Sequence, residues 1–176
     1  MALRSTVVTP IVVCGAAGRM GQLLVRLIAA EPRARLVGAV EAVGHPALGR
    51  DAGAAAGIAA LGVLLGDAYS PAADSVTLDF TAPAAALAHL EAAAAAGAAI
   101  VVGTTGFSPA ERARAETLAR KTRAVIAPNM SVGVTVLERL VATAARALGS
   151  GFDVEIVEVH HRLKRDAPSG TALRLG

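Results

Sequence analysis

The chain has 176 residues, enough for one ordinary domain with its own core and short for two complete domains. Hydrophobic residues make up 54% and charged residues 18%, a balance typical of a folded globular protein. Aromatic residues make up only 2%, so stacking surfaces for single-stranded nucleic acid are nearly absent and we expect no nucleic-acid partner. The net charge of +3 is too small to indicate a partner by itself.

The single cysteine, Cys14, excludes an internal disulfide framework and favours a reducing compartment, so a cytoplasmic location is expected. No identifiable base accompanies it, and we interpret it as a small buried apolar residue without a chemical role. No apolar stretch reaches the roughly 18 residues of a membrane-spanning helix without glycine, proline or charge. We therefore expect a soluble protein with no membrane partner.

The first predicted elements are a strand, a tight turn, a helix and a second strand. β-branched residues at 7–13 predict the first strand, apolar residues at helical spacing predict a helix over 18–30, and residues 35–41 predict the second strand. The strands of such a βαβ unit lie parallel, with a right-handed crossover. The Ala- and Gly-rich residues 42–75 predict a loop with room for one short helix and a strand near 63–65.

Strands and helices continue to alternate beyond this loop. Three more strands are predicted, at residues 75–80, 98–102 and 124–127. The first helix between them is expected to be capped by Thr81 and to end at Gly97, and the second opens on a capping box of Ser108 and Glu111. This alternation predicts an α/β fold with a doubly wound parallel sheet, whose ligands bind beyond the carboxyl ends of the strands.

A glycine-rich turn, Gly15-Ala-Ala-Gly18-Arg-Met-Gly21, joins the first strand to the first helix. Its glycines permit a tight turn and close approach of a pyrophosphate, which backbone N–H groups and the helix dipole then bind. Glu41 falls about twenty residues later, where a carboxylate accepts hydrogen bonds from ribose hydroxyls. The alternative is a turn chosen for packing with Glu41 as a surface charge, but the βαβ context favours dinucleotide binding.

Two further loops follow strands and should line the same cleft: residues 103–106, which read Gly-Thr-Thr-Gly, and residues 127–130, which read Ala-Pro-Asn-Met. Each is a weak signal alone, and the first could equally be purely structural.

After residue 130 the pattern changes. An apolar stripe over 132–148 predicts a long helix, the alternating residues 153–161 predict a strand, and Ser169 begins a last helix. Between them, residues 160–171 concentrate two of the four histidines, basic side chains and a capped helix start. This combination suits an anion such as a carboxylate and a proton transfer near neutrality.

The alternative interpretation of residues 160–171 is a solvated basic loop. Adjacent histidines with no third ligand at a sensible spacing coordinate metal poorly, so we predict no metal site. On a regular strand His160 and His161 face opposite sides, so they should have different roles. The other two histidines, His45 on a loop and His89 on an Ala-rich helix, are interpreted as surface residues.

Five motifs occur in one order: GAAGRMG, LDFTAP, VVGTTGF, APNMSVGV and EVHHRLKRDAPSGTA. Together they resemble the 4-hydroxy-tetrahydrodipicolinate reductase (dihydrodipicolinate reductase) family of lysine and diaminopimelate biosynthesis. The resemblance implies a Rossmann-type dinucleotide-binding domain over residues 1–130, and the first helix and strand of an incomplete α+β substrate domain over 131–176. It further implies reduction of a small cyclic dicarboxylate with NADH or NADPH.

The resemblance also implies residue roles. His160 would be the catalytic proton donor and acceptor and Lys164 a proton donor, while His161, Gly170 and Thr171 would contact the substrate carboxylates. The implied cofactor-binding residues are Gly15, Ala16, Ala17, Gly18, Arg19, Met20, Glu41, Gly103, Thr104, Thr105, Ala127, Pro128, Asn129 and Met130.

Two departures from the family limit what the resemblance implies. Some members place an arginine after the ribose-binding acid to hold the 2′-phosphate of NADPH; here Ala42 favours NADH, with Arg19 and Arg50 keeping NADPH open. Members also continue past residue 176, so we expect a fragment or truncated gene product of uncertain activity, and the family's homotetramer does not carry over safely. The alternatives are a non-catalytic dinucleotide-binding module or inactive truncated paralogue, and another dehydrogenase of amino-acid metabolism, which would leave residues 160–171 unexplained.

Overall fold

The structure is a computed structural model and describes residues 7–160, 162 and 168–176. The chain divides into two compact units, Met1–Ile126 and Ala127–Gly176. Among the described residues, no helix combines the length and the apolar composition needed to cross a membrane.

The first unit is built on a six-stranded sheet in which every strand pair is parallel. The strands are β1 (Thr9–Cys14), β2 (Ala34–Val40), β3 (Leu65–Gly66), β4 (Val76–Asp79), β5 (Ala99–Val102) and β6 (Ala124–Ile126). Their order in the sheet is β3-β2-β1-β4-β5-β6, so the chain reverses its direction of winding between β1 and β4. The predicted doubly wound parallel sheet is confirmed, and the reversal marks where such sheets bind ligands.

Four helices accompany this sheet: α1 (Arg19–Ala30), α2 (Ala52–Ala55), α3 (Pro83–Ala96) and α4 (Pro109–Ala119). The short α2 and β3 lie within the predicted loop of residues 42–75, as that prediction allowed. One apolar cluster packs α1 against β1 and β2 around Val13 and Val25, and a second packs α3 and α4 against β5 around Leu90 and Ile100. Both clusters rest largely on Ala, Val, Leu and Ile, as the low aromatic content requires.

The structure confirms two of the predicted helix ends and contradicts a third. The capping box of Ser108 and Glu111 is present, and Gly97 ends α3 in the left-handed conformation at φ +67°. The prediction that Thr81 caps α3 is wrong, because the N-cap is Ala82 and makes no side-chain cap. The Thr81 hydroxyl instead donates to the buried carboxylate of Asp79 at 2.7 Å.

The second unit contains α5 (Val132–Leu148), a 3₁₀ turn at Gly149–Gly151 and α6 (Gly170–Leu175). All of α5 is described, and none of its residues is buried. The prediction of a strand over residues 153–161 is wrong for residues 153–160, which form no strand. The described part of this unit offers no second strand to pair with, and Val157 and Val159 are 90% and 91% exposed, so neither backbone pairing nor burial stabilises the extended pattern.

Candidate functional site

The glycine-rich turn has a geometry that requires glycine. Gly15 adopts φ +73°, in the left-handed region, and a Cβ atom on Gly21 would collide with backbone atoms of Gly15 and Ala16. Helix α1 begins at Arg19 with Gly18 as its N-cap and without a side-chain cap. The N–H groups of its first turn therefore remain available to an anion, and the helix dipole favours negative charge there.

Glu41 lies next to this turn. Its Oε2 accepts a hydrogen bond from the N–H of Ala17 at 3.0 Å, and its Oε1 accepts one from the N–H of Ala42 at 3.0 Å. The predicted ribose-binding carboxylate is thus fixed against the glycine-rich turn, although Glu41 and Ala17 lie 24 residues apart in the chain.

A cavity of about 590 Å³ opens at the carboxyl ends of β1, β2 and β4. Its walls include Gly15, Gly18, Glu41, Thr81 and His89. We call it the turn cavity. Its volume lies in the range of small-molecule sites, and it lies where the winding of the sheet reverses. Another cavity of about 650 Å³ shares only Val40 with the described lining of the turn cavity, and none of the predicted site residues that the structure describes line it.

A buried carboxylate, Asp79, underlies the turn cavity at the end of β4 and is 0% exposed. Its Oδ1 accepts from the Thr81 N–H at 2.9 Å, from the Thr81 hydroxyl at 2.7 Å and from the Thr104 hydroxyl at 3.3 Å. Its Oδ2 lies 2.6 Å from Nδ1 of His89. Burial alone would raise the pKa of Asp79, but the hydrogen bonds from His89 and Thr81 outweigh it and hold this pKa below its ordinary value.

The interpretation of His89 as a surface residue is wrong. Its side chain is only 17% exposed, because it is paired with Asp79 and its ring lies 4.7 Å from the ring of Tyr69, between centroids. The Tyr69 hydroxyl is in turn 2.8 Å from Oγ1 of Thr77, and burial raises the pKa of Tyr69 to about 12. His45 is only partly exposed, and its Nδ1 accepts a hydrogen bond from the Ala47 N–H at 3.1 Å.

Cys14 is confirmed as a buried residue, 1% exposed. Burial, followed by the charges of Asp79 and Glu41, raises the pKa of its thiol well above the ordinary value. Cys14, Asp79 and His89 each place one potential metal-ligand atom within 4.8 Å of the others. Because the Asp79 carboxylate already accepts four hydrogen bonds and burial favours the protonated thiol, we interpret the three as a buried structural cluster in which Asp79 and His89 are paired.

The loop after β5 joins this core. A Cβ atom on Gly103 would collide with the ring of Phe80, so the loop and β4 pack closely. Thr104 is 4% exposed and directs its hydroxyl to Asp79, whereas Thr105 is exposed. Of the three predicted cofactor-binding residues in this loop, Thr104 therefore directs its hydroxyl to another protein residue. This hydrogen bond helps to hold Asp79 beneath the turn cavity.

The second unit brings several predicted residues together. Nδ2 of Asn129 donates to the Thr171 hydroxyl oxygen at 2.9 Å. Ser169 caps α6, and its N–H donates to Oε1 of Glu158 at 2.8 Å, while Oε2 of Glu158 lies 3.6 Å from Nδ1 of His160. Glu158 thus connects His160 with the helix start that carries Gly170 and Thr171. The predicted roles of His161 and Lys164 fall outside the described residues.

Sequence reasoning missed Asp79, His89 and Glu158. A signal for Asp79 was present, because a single aspartate ends an otherwise apolar strand, SVTLDF, directly before a predicted ligand-binding loop. Glu158 alternates with apolar residues, as a solvent-facing residue of a strand does, so the sequence pattern did not identify it as a functional residue.

Comparison with known proteins assigns both parts of the chain. Residues 9–130 match the N-terminal family model of dihydrodipicolinate reductase and residues 133–176 match the C-terminal one. A 4-hydroxy-tetrahydrodipicolinate reductase of Anaeromyxobacter dehalogenans is 55% identical over 96% of this chain and 63% of its own length, and one of Geobacter sulfurreducens is 51% identical over 96% and 64%. A solved dihydrodipicolinate reductase of Paenisporosarcina sp. TG-14, with dipicolinate bound, superposes with a TM-score of 0.67 at 25% identity over 96% of this chain and 64% of that one.

The winding reversal and the glycine-rich turn together define a Rossmann-type fold. With both family models matched, the chain belongs to the dihydrodipicolinate reductase family, as its motifs indicated. It spans 63% of the length of its Anaeromyxobacter relative.

Proposed function

We propose that this chain supplies the cofactor domain and the beginning of the substrate domain of an NAD(P)H-dependent 4-hydroxy-tetrahydrodipicolinate reductase. The observation that carries the proposal is the turn cavity, in which Gly15, Gly18 and Glu41 meet at the winding reversal. The names of relatives that are 51–55% identical support the choice of reaction. A cytoplasmic location belongs to the same proposal.

The first unit fits a pyridine dinucleotide. The uncapped start of α1, at Arg19 and Met20, would bind the pyrophosphate, and Glu41 would accept hydrogen bonds from the adenosine ribose. The proposal extends to Ala16, Ala17, Gly103, Thr105 and residues 127–130 as further cofactor contacts, with the buried Thr104 hydroxyl supporting the 103–105 loop through Asp79. The bound cofactor supplies the hydride.

We propose NADH as the preferred cofactor. The turn cavity presents the carboxylates of Glu41 and Asp67 beside Ala42, and neither Arg19 nor Arg50 is among the described residues that line it. A 2′-phosphate would therefore meet like charge at the cavity wall, which disfavours NADPH.

In the second unit, His160 would supply and accept the proton that accompanies hydride transfer. Its imidazole is 40% exposed and lies beside Glu158, so it is accessible to a substrate and has a carboxylate next to it. Lys164 would also donate a proton, and His161, Gly170 and Thr171 would contact the substrate carboxylates. The bound dipicolinate of the Paenisporosarcina protein supports a small cyclic dicarboxylate as substrate.

The test compares two proteins: this chain, and a chimera that continues after residue 176 with the remaining sequence of the Anaeromyxobacter relative. Oxidation of NADH is followed at 340 nm with freshly prepared 4-hydroxy-tetrahydrodipicolinate, together with NADH binding by calorimetry. Binding by both proteins and turnover by the chimera are expected. Binding without turnover in both would favour the second candidate, a non-catalytic dinucleotide-binding module, and absence of binding in both would refute the proposal.

A further inference from the structure

His89 is a polar residue of the turn cavity with no role in the reactions considered above. It comes from α3 and lines the same cavity as Glu41. Its ring is held from two sides, by Asp79 at 2.6 Å and by the tilted ring of Tyr69 at 4.7 Å. A side chain held in this way presents its remaining polar atom in one direction and loses little rotamer freedom when it binds a ligand.

The partner of Nδ1 determines what the other ring nitrogen can do. The Asp79 carboxylate has a lowered pKa and is ionised, so it can only accept hydrogen bonds, and Nδ1 of His89 must carry the proton. In the neutral imidazole Nε2 is then a hydrogen-bond acceptor. Among the described residues, Nε2 makes no hydrogen bond with the protein.

The cavity wall around His89 suits a flat heteroaromatic ring. Val43, Ala85 and Ala88 line it with small apolar surfaces, and Glu41 stands on the side of the glycine-rich turn, where the ribose is expected. The part of the cavity beyond the ribose is therefore apolar, with one oriented acceptor. Of the other polar side chains that line the cavity, the Thr81 hydroxyl already donates to Asp79, and the carboxylate of Asp67 is solvent-exposed and only weakly selective as an acceptor.

We propose that His89 selects the adenine ring of the cofactor by accepting a hydrogen bond at Nε2 from the exocyclic amino group, while Asp79 and Tyr69 hold the imidazole in place. The inference rests on the proposed dinucleotide binding and adds a base-recognition residue to it. Because an acceptor is presented, adenine is favoured over hypoxanthine, which carries a carbonyl oxygen in place of the amino group.

The test measures the affinity of the full chain for NADH and for reduced nicotinamide hypoxanthine dinucleotide. The wild-type protein is expected to bind NADH about tenfold more tightly. In the hypoxanthine dinucleotide the hydrogen bond to Nε2 is lost, and the carbonyl oxygen, an acceptor, faces Nε2, which is also an acceptor. Two variants distinguish the role of Nδ1 from the role of Nε2. The His89→Asn amide nitrogen can replace Nδ1 toward Asp79 but leaves nothing at Nε2, whereas the His89→Gln carbonyl oxygen can reach the position of Nε2.

We expect His89→Asn to lose the preference for adenine and His89→Gln to retain part of it, with His45→Asn, away from the cavity, behaving as wild type. Thermal melting identifies any variant that fails to fold. A merely structural role would give the reverse order, with Asn preserving affinity and Gln losing it. Equal wild-type affinity for the two dinucleotides, or an undiminished preference in His89→Asn, would overturn the inference. Wild-type protein that binds neither dinucleotide would refute the proposed function itself.

Discussion

In the first unit, Asp79 ends the paired strand β4 and His89 lies on the packed helix α3, and each has partners in at least two segments of the chain. In the second unit, His160 lies on a segment that forms no strand. The long helix of this unit, α5, has no buried residue. The orientation of a functional side chain depends on the packing of the element that carries it. We therefore expect the turn cavity to tolerate few substitutions and the described part of the second unit to tolerate many.

A change at Gly21 is expected to affect both the stability of the fold and the binding of the cofactor. In Gly21→Ala the new methyl group collides with the backbone of Gly15 and Ala16, which must move. We expect a loss of roughly 1–3 kcal/mol in the free energy of unfolding, together with loss of NADH binding. Urea denaturation and calorimetry measure both.

Gly66→Ala is the matched control, since a Cβ there meets nothing within 4 Å. Unchanged NADH affinity in Gly21→Ala would show that the turn does not hold the cofactor.

A comparison of two leucines contrasts the two units directly. Leu90 is 1% exposed in the core of the first unit, and Leu140 is 62% exposed on α5. We expect Leu90→Ala to cost roughly 2–5 kcal/mol of unfolding free energy because it leaves a cavity. Leu140→Ala should change it by less than about 0.5 kcal/mol. Equal costs in urea denaturation would remove the contrast between the units.

Low pH should lower the free energy of unfolding of the first unit, because Asp79 becomes protonated. Because its folded pKa is lowered, its ionised form stabilises the fold above the unfolded carboxyl pKa of about 4, and this contribution is lost as the pH falls through the lowered value. Asp79→Asn should cost roughly 1–3 kcal/mol at neutral pH and flatten the acid limb of the stability curve. Denaturation of both proteins between neutral pH and pH 2 tests this. If the unfolding free energy of the variant falls as steeply with decreasing pH as that of the wild type, other carboxylates cause the loss.

A small effect is expected at the ion pair between Arg174 and Glu138, 2.7 Å apart on α6 and α5, in which the Arg174 side chain is 47% exposed and the Glu138 side chain 16% exposed. Glu138→Gln should change the unfolding free energy by less than about 1 kcal/mol, because water and salt screen the half-exposed Arg174. NADH affinity should stay as in wild type. A larger loss would mean that the second unit is more firmly packed than its exposure indicates.

The features that the sequence predicted well are those set by neighbouring residues. The βαβ unit, the glycine-rich turn and the capping box of Ser108 each depend on a short run of residues. The pairing of Asp79 with His89 depends on how α3 packs on β4, and α3 is apolar on nearly every side, so its periodicity does not mark the face of His89. Alternation over residues 153–161 predicted a strand, but a strand also needs a neighbouring backbone, which the local pattern does not reveal.

The central claim is that the first unit holds NADH at the glycine-rich turn with Glu41 on the ribose. Calorimetric titration of NADH into the wild-type chain and into Glu41→Ala tests it most directly. We predict saturable binding at one site, weakened about tenfold or more in Glu41→Ala by the loss of hydrogen bonds to a charged acceptor. Absence of saturable binding by the wild-type chain, or equal affinity in Glu41→Ala, would contradict this account.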